Sequence, residues 1–181
     1  MKNGKRLPTY MEPEEMERLL AVSPPCHRLC FLLWARAGLR VAESVKVRHE
    51  DIIWRDEWPV ILHVIGKNDK EALLPLGMRL RVALRDFTEP EKRGWLFPGY
   101  NGHIVDRQAR YWMVRACERA GIAQVKAHPH ALRHSFATHL LRAGADLVEV
   151  RDLMRHSSLA TTSIYLHSCP ERLQGAVDRL G

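Results

Sequence analysis

The sequence predicts a mainly α domain (α+β in class) that carries one small three-stranded antiparallel β-sheet. Apolar residues recur at helical spacing through most of the chain, with Pro near the starts of the segments and Gly at their ends. One stretch, 51–77, breaks that period with β-branched clusters separated by turn signals. At 181 residues the chain is long enough for one substantial core. It shows no internal repeat, low-complexity tract or Gly/Ser-rich linker that would divide it.

The elements follow in order. "EPEEMERLLAV" opens a helix, because Pro13 suits a first turn and Glu14 and Glu15 suit its positive end. "PPCHRLCFLLWARAG" is a second helix, apolar enough to be central and ending at Gly38, and "RVAESVKV" a short third. "DIIWRDEWPVILHVIGKNDKEALLPLG" supplies three strands, turning at "RDE" and "GKND". Helices resume at "GMRLRVALRDF", "VDRQARYWMVRACERAG", "HALRHSFATHLLRAG", "DLVEVRDLMRH" and "LATTSIYLH". In the second of these Val105, Ala109, Trp112, Met113, Ala116 and Ala120 form the core stripe. Arg107, Arg110, Arg115 and Arg119 lie away from it.

Bulk properties narrow the function. Twenty-eight Lys and Arg against 21 Asp and Glu give +7, a balance that suits either a polyanionic partner or a solubilising surface. No apolar run approaches the roughly 20 residues needed to span a bilayer, and the start lacks a signal-peptide core. A cytoplasmic protein with no membrane partner is expected. Cys26, Cys30, Cys117 and Cys169 form no CxxC pair, which argues against zinc or a disulfide framework.

One segment stands out: "HPHALRHSFATHLLRAG", His128 to Gly144, places imidazoles and guanidiniums on an otherwise core-like helix. His130 and Arg133 are three apart and share a face. Arginine grips phosphate bidentately, and a neighbouring histidine can hydrogen-bond or carry a proton. Upstream, "AGLRVAES" sets Arg40 at a helix start with Glu43 three residues on, close enough to hold the guanidinium. "IGKNDKEALLPL" puts Lys67 at a hairpin turn. Downstream, "RHSSLATTSIYLH" spaces His156 and Tyr165 nine apart.

Taken in order, "AGLRVAESVKV", "IGKNDKEALLPL", "HPHALRHSFATHLLRAGADL" and "LMRHSSLATTSIYLH" strongly resemble the catalytic domain of the tyrosine recombinase (phage integrase) family. "LPTYMEPEEMERLL" resembles the start of that domain. The resemblance implies that family's catalytic-domain fold, spanning 1–181 without the family's usual N-terminal helical domain. It implies site-specific cleavage and rejoining of double-stranded DNA. Tyr165 would attack a backbone phosphate to give a 3′-phosphotyrosine and a free 5′-hydroxyl. Arg40 and Arg133 would grip the non-bridging oxygens, and Lys67, favoured over Lys70 by the "IGK" placement, would protonate the leaving oxygen. His130 and His156 would hydrogen-bond the phosphate, with His130 assisting removal of the phenol proton. Arg107 and Gln108 would read base edges, with Arg110 and Arg155 as further DNA contacts. No metal or nucleotide cofactor is implied. Self-association as a tetramer on DNA is, with accessory proteins as further partners.

The chemistry has reasons of its own. A phenol with an ordinary pKa of about 10 is a poor nucleophile at neutral pH without cationic neighbours or a base. Preorganised donors around the phosphoryl oxygens serve the charge that grows in the transition state. His134 and His139 read as packing or helix-surface groups. Arg155 departs from the family, which usually has glycine just before the second histidine, where a tight turn is made. Two rival functions share the motifs: a non-cleaving DNA-binding regulator and a topoisomerase IB-like relaxing enzyme. A metal-dependent nuclease built on His128, His130 and His134 fits poorly, since that segment has no acidic residue and Arg133 would repel a cation.

Overall fold

The computed structural model describes residues 8–66 and 70–168. Eight α-helices and two small sheets occur among them, in the order α1 (Pro13–Ala21), α2 (Pro25–Arg36), α3 (Val41–Ser44), β1 (Ile52–Arg55), β2 (Trp58–Ile65), β3 (Glu71–Pro75), α4 (Met78–Phe87), β4 (Pro98–Gly99), β5 (Gly102–His103), α5 (Asp106–Ala120), α6 (Pro129–Arg142), α7 (Leu147–Met154) and α8 (Leu159–Thr162). Short 3₁₀ turns occupy His49–Asp51, Gln124–Lys126 and Ser163–Ser168. The expected architecture is present: mainly helical, with an antiparallel sheet ordered β1-β2-β3.

α2 forms the centre. Leu29 through Ala35 are all buried, so this helix is apolar on every side and must be wrapped by others. α4, α5 and α6 pack around it. Trp34, fully buried, donates its indole N–H to Ser44 Oγ at 2.7 Å, which ties α2 to α3 and satisfies the indole's one polar atom. The residues just before α1 are stapled to α6 where the Met11 amide donates to Ser135 Oγ at 2.8 Å.

β1 and β2 turn at Asp56–Glu57, both at positive φ (49° and 64°), as a two-residue hairpin requires. The anticipated "GKND" turn between β2 and β3 lies at residues 67–69, outside the described residues, as does Cys169. The β4–β5 ribbon was not expected, because two-residue strands carry no period to detect. On α5, Ala109, Met113 and Ala116 are buried and Trp112 and Ala120 half-buried, as the stripe predicts. Val105 is a correction: it is the N-cap, ahead of the helical turn, and stands 58% exposed. Cys117 takes the buried place instead.

A second, smaller apolar cluster gathers Phe136, Ala137 and Leu141 of α6, Val150 and Met154 of α7, and Tyr165. It fixes the C-terminal helices against α6, and the candidate site lies where that cluster meets α3. No helix among the described residues is long and apolar enough to cross a membrane.

Candidate active site

Arg133 is the pivot of the site. It sits on α6 with 4% exposure, and a guanidinium that deep needs partners for its N–H groups. Nη1 donates to the carbonyl of Gly38 and Nη2 donates to the carbonyl of Met154 at 2.6 Å. One side chain therefore joins α6 to the turn before α3 and to the end of α7. Burial, with the charges of Arg40 and Arg155 adding, pushes its pKa down to about 9. It stays cationic at neutral pH.

Arg40 caps α3. Its amide donates to Glu43 Oε2 and its Nη1 donates to Glu43 Oε1, each at 2.7 Å, while its side chain remains 39% exposed. The guanidinium is held at one edge and open at the other. Glu43 itself is 5% exposed in its side chain. Burial would raise its pKa, but the charge of Arg155 and the hydrogen bonds and charge of Arg40 outweigh burial and hold the carboxyl below its ordinary range.

α7 delivers the next two residues. Its N-terminus is closed by a capping box in which Asp146 Oδ1 accepts from the amides of Val148 (2.7 Å) and Glu149 (2.8 Å), and Glu149 Oε2 accepts from that of Asp146 (2.7 Å). Its C-terminus ends at Arg155 in the left-handed region, φ 54°. The Arg155 side chain, expected to reach DNA, turns inward, because a buried carboxylate lies within its reach. Its Nη2 donates to Glu43 Oε2 at 2.7 Å and to the Gly38 carbonyl at 3.2 Å, and the side chain is 12% exposed. His156 follows, its Nδ1 sharing a hydrogen bond of 2.9 Å with Thr162 Oγ1. Burial and then the charges of Arg133, Arg40 and Arg155 push its pKa down to about 4.

Tyr165 lies on the Ser163–Ser168 3₁₀ turn with 1% exposure. Its ring is nearly parallel to that of His156 (12°, centroids 6.4 Å apart), and its hydroxyl shares a 2.8 Å hydrogen bond with His134 Nδ1. Burial, against the charge of Arg133, pushes the phenol up to about 12. His134 is pushed down to about 4 by burial and by the neighbouring imidazoles and Arg133. At neutral pH this is a protonated phenol beside a neutral imidazole.

The hydroxyl's partner corrects an expectation. His130 was expected to assist the phenol, yet it is exposed at the mouth of the site, its ring centroid 6.2 Å from that of His134. His134, expected to be a packing or surface group, makes the contact. One turn beyond His130 and adjacent to Arg133, it was conspicuous by position, but its partner lies 31 residues away. His128, the N-cap of α6, accepts from the Ala131 amide through Nδ1 at 3.1 Å, which explains that histidine locally.

Arg40, Arg133, His130, His156 and Tyr165 thus converge from four separate segments. Lys67 lies outside the described residues. Its neighbours Gly66, Lys70 and Glu71 line one wall of a cleft of about 490 Å³ whose other wall holds Arg40, Glu43, Arg155 and His156. On α5, Arg107, Gln108 and Arg110 are exposed, and the charge of Arg110 reaches His128 and His130. No group of three or more His, Cys, Asp or Glu that could hold a metal ion occurs among the described residues. The cleft is rich in cationic side chains, and the buried Tyr165–His134 pair lies behind it, next to His156.

Known proteins resemble this chain in sequence and in fold. Residues 9–172 match the phage integrase family. The tyrosine recombinase XerD of Proteus mirabilis is 38% identical over 188 residues, 94% of this chain and 58% of that protein. XerD of Caulobacter vibrioides is 35% identical, over 95% of this chain and 61% of its own length. The chain therefore spans about three fifths of the curated relatives it matches. Among solved structures, the integrase from mycobacterium phage Brujita superposes with a TM-score of 0.75 at 33% identity, over 99% of this chain and 60% of that one. With matching sequence, matching fold and these cationic and phenolic groups gathered in one region, the chain belongs to the phage integrase family.

Proposed function

We propose that the chain is the catalytic domain of a site-specific DNA strand transferase that cleaves and rejoins double-stranded DNA through a 3′-phosphotyrosyl intermediate. The observation that carries it is the placement of the Tyr165 hydroxyl against the neutral imidazole of His134, with the charge of Arg133 and the ring of His156 beside that pair and with Arg40 and His156 lining the adjoining cleft. Tyr165 Oη attacks the scissile phosphorus and the bond from phosphorus to the 5′-oxygen breaks. The phenol proton passes to an imidazole, His134 being the one in contact, and the 5′-oxygen leaves with a proton from a general acid, the role of Lys67. Rejoining runs the steps in reverse, because the phosphotyrosine retains the phosphodiester's energy. Arg40 and Arg133 offer N–H groups to the non-bridging oxygens, where donors fixed in advance lower the barrier most.

The exposed Arg107, Gln108 and Arg110, two cations and a neutral amide, support a duplex laid across α5 and the mouth of the site. A recombinase of similar fold, XerH, is known bound to a palindromic DNA substrate in a post-cleavage complex. Palindromes mirror two-fold protein symmetry, and that supports self-association of this chain on DNA.

Incubation with a nicked suicide duplex, followed by denaturing gel electrophoresis, tests the reading. The wild-type chain accumulates a covalent protein–DNA adduct, and Tyr165→Phe accumulates none while binding the duplex with similar affinity. An equal adduct from Tyr165→Phe removes the nucleophile assignment. Binding without any adduct from either protein points to the non-cleaving regulator.

A further inference from the structure

Among the described residues, α5, α6 and α7 end in the same pair of hydrogen bonds, in which a residue just past the helix enters the left-handed region. After α5 that residue is Gly121 (φ 64°) and after α6 it is Gly144 (φ 101°). The bonds are the expected pair each time: Ile122 N–H to Cys117 O with Gly121 N–H to Glu118 O, and Ala145 N–H to Leu140 O with Gly144 N–H to Leu141 O. After α7 the same pair joins His156 N–H to Arg151 O and Arg155 N–H to Asp152 O, but the left-handed residue is Arg155. A residue with a Cβ is disfavoured there, and glycine would make the turn without strain. The turn does not call for arginine. Its side chain does.

That side chain occupies one position with a defined consequence. Glu43 Oε1 binds Arg40, and Glu43 Oε2 accepts from both the Arg40 amide and Arg155 Nη2. The Gly38 carbonyl accepts from both Arg133 and Arg155. The Arg155 carbonyl lies 3.5 Å from Arg40 Nη2, which donates to it. Without Arg155, the nearly buried Glu43 carboxylate has Arg40 as its neutralising charge, and every fraction of that charge spent on Glu43 is withheld from an incoming anion. With Arg155 present, Glu43 is matched by a second guanidinium, nearly buried and held 2.7 Å from its Oε2.

We propose that Arg155 is a counter-charge and positioning residue. By offsetting the charge of Glu43 and holding its carboxylate, it leaves the exposed edge of Arg40 aimed at a phosphate in the cleft. The inference deepens the strand-transfer reading and rests on it for the identity of that phosphate, but the electrostatic claim concerns any phosphate monoanion or dianion.

Four proteins test it: wild type, Arg155→Gly, Arg155→Lys and the double variant Arg155→Gly with Glu43→Gln. The first readout is the affinity for inorganic phosphate, followed by calorimetry or by the Arg40 guanidinium NMR signals. Arg155→Gly weakens phosphate binding about tenfold, as expected when one neighbouring charge is redirected. The double variant recovers most of that loss, because removing the carboxylate's charge removes the need for its counter-charge. The second readout is single-turnover cleavage of the suicide duplex at saturating DNA. There Arg155→Gly falls about 30- to 100-fold in rate with duplex affinity within about threefold, since a misplaced phosphate-gripping group costs rate more than binding. Arg155→Lys retains the charge but not the planar fork, and recovers part of the rate. The melting temperature separates this from a structural role: Arg155→Gly relieves the left-handed strain, so it melts within a few degrees of wild type. Unchanged phosphate affinity in Arg155→Gly, or no recovery in the double variant, overturns the inference. Weakened phosphate binding together with a wild type that never forms an adduct upholds the inference and overturns the strand-transfer reading.

Discussion

Arg133→Lys keeps a positive charge but cannot span two carbonyls that lie on different segments. One buried carbonyl is left short of a donor, at a cost of about 1–3 kcal/mol. Urea denaturation should show that loss, and adduct formation should drop by about 100-fold or more as the phosphate loses its fixed donors. Full activity in Arg133→Lys would mean that point charge alone suffices. His134→Phe probes the other end of the site. It fills nearly the same volume but removes the acceptor at the Tyr165 hydroxyl, and a lost general base typically lowers rate by about 100-fold or more. Single-turnover rates equal to wild type would assign the proton to another group, with His156, whose ring stacks on Tyr165, the next in line.

At the scale of elements, α7 and the turn after it do the positioning. The Asp146 capping box starts the helix and Arg155 ends it, so His156 is aimed by a rigid piece only two turns long. Asp146→Ala should cost about 1 kcal/mol in urea denaturation, and no change would show that packing of Val150 and Met154 alone holds the helix. The Ser163–Ser168 3₁₀ turn buries Tyr165 in the smaller apolar cluster. Tetranitromethane should therefore nitrate Tyr100 (102% exposed) and Tyr111 (59%) while sparing Tyr165 (1%) in the DNA-free protein, as peptide mass spectrometry would report. In the proposed reaction Tyr165 would have to leave this buried position to meet a phosphate in the cleft. Rapid nitration of Tyr165 without DNA would contradict the buried position.

For the whole molecule, charge and acid lability follow from the same cleft. His134 and His156 have folded pKa values of about 4 against an ordinary 6.5. The unfolded chain therefore binds more protons, so their contribution is fully present above pH 6.5 and is lost as pH falls toward 4. The loss is on the order of 2 kcal/mol for each, and denaturation midpoints measured from pH 7 to pH 4 should fall accordingly. A flat profile would place both imidazoles in water. Affinity for duplex DNA should fall steeply with salt, with a log–log slope of about −3 or steeper if Arg40, Arg107 and Arg110 each meet a phosphate. Salt-independent binding would remove the α5 face from the DNA interface.

Helix existence, the three-stranded sheet and the convergence of Arg40, Arg133, His156 and Tyr165 were legible in the amino-acid order. Apolar period and turn chemistry are local properties, and a motif's spacing travels with the chain. Val105 was misplaced because period alone does not say whether a helix starts at a residue or after it. The β4–β5 ribbon was missed because four residues hold no period. What only the tertiary structure decided was which groups meet across long separations. His134 rather than His130 reaches Tyr165, and Arg155 turns to Glu43 rather than outward. In both cases the deciding quantity is the cost of leaving a buried polar atom unpaired, and that cost exists only once packing has excluded water from the cleft.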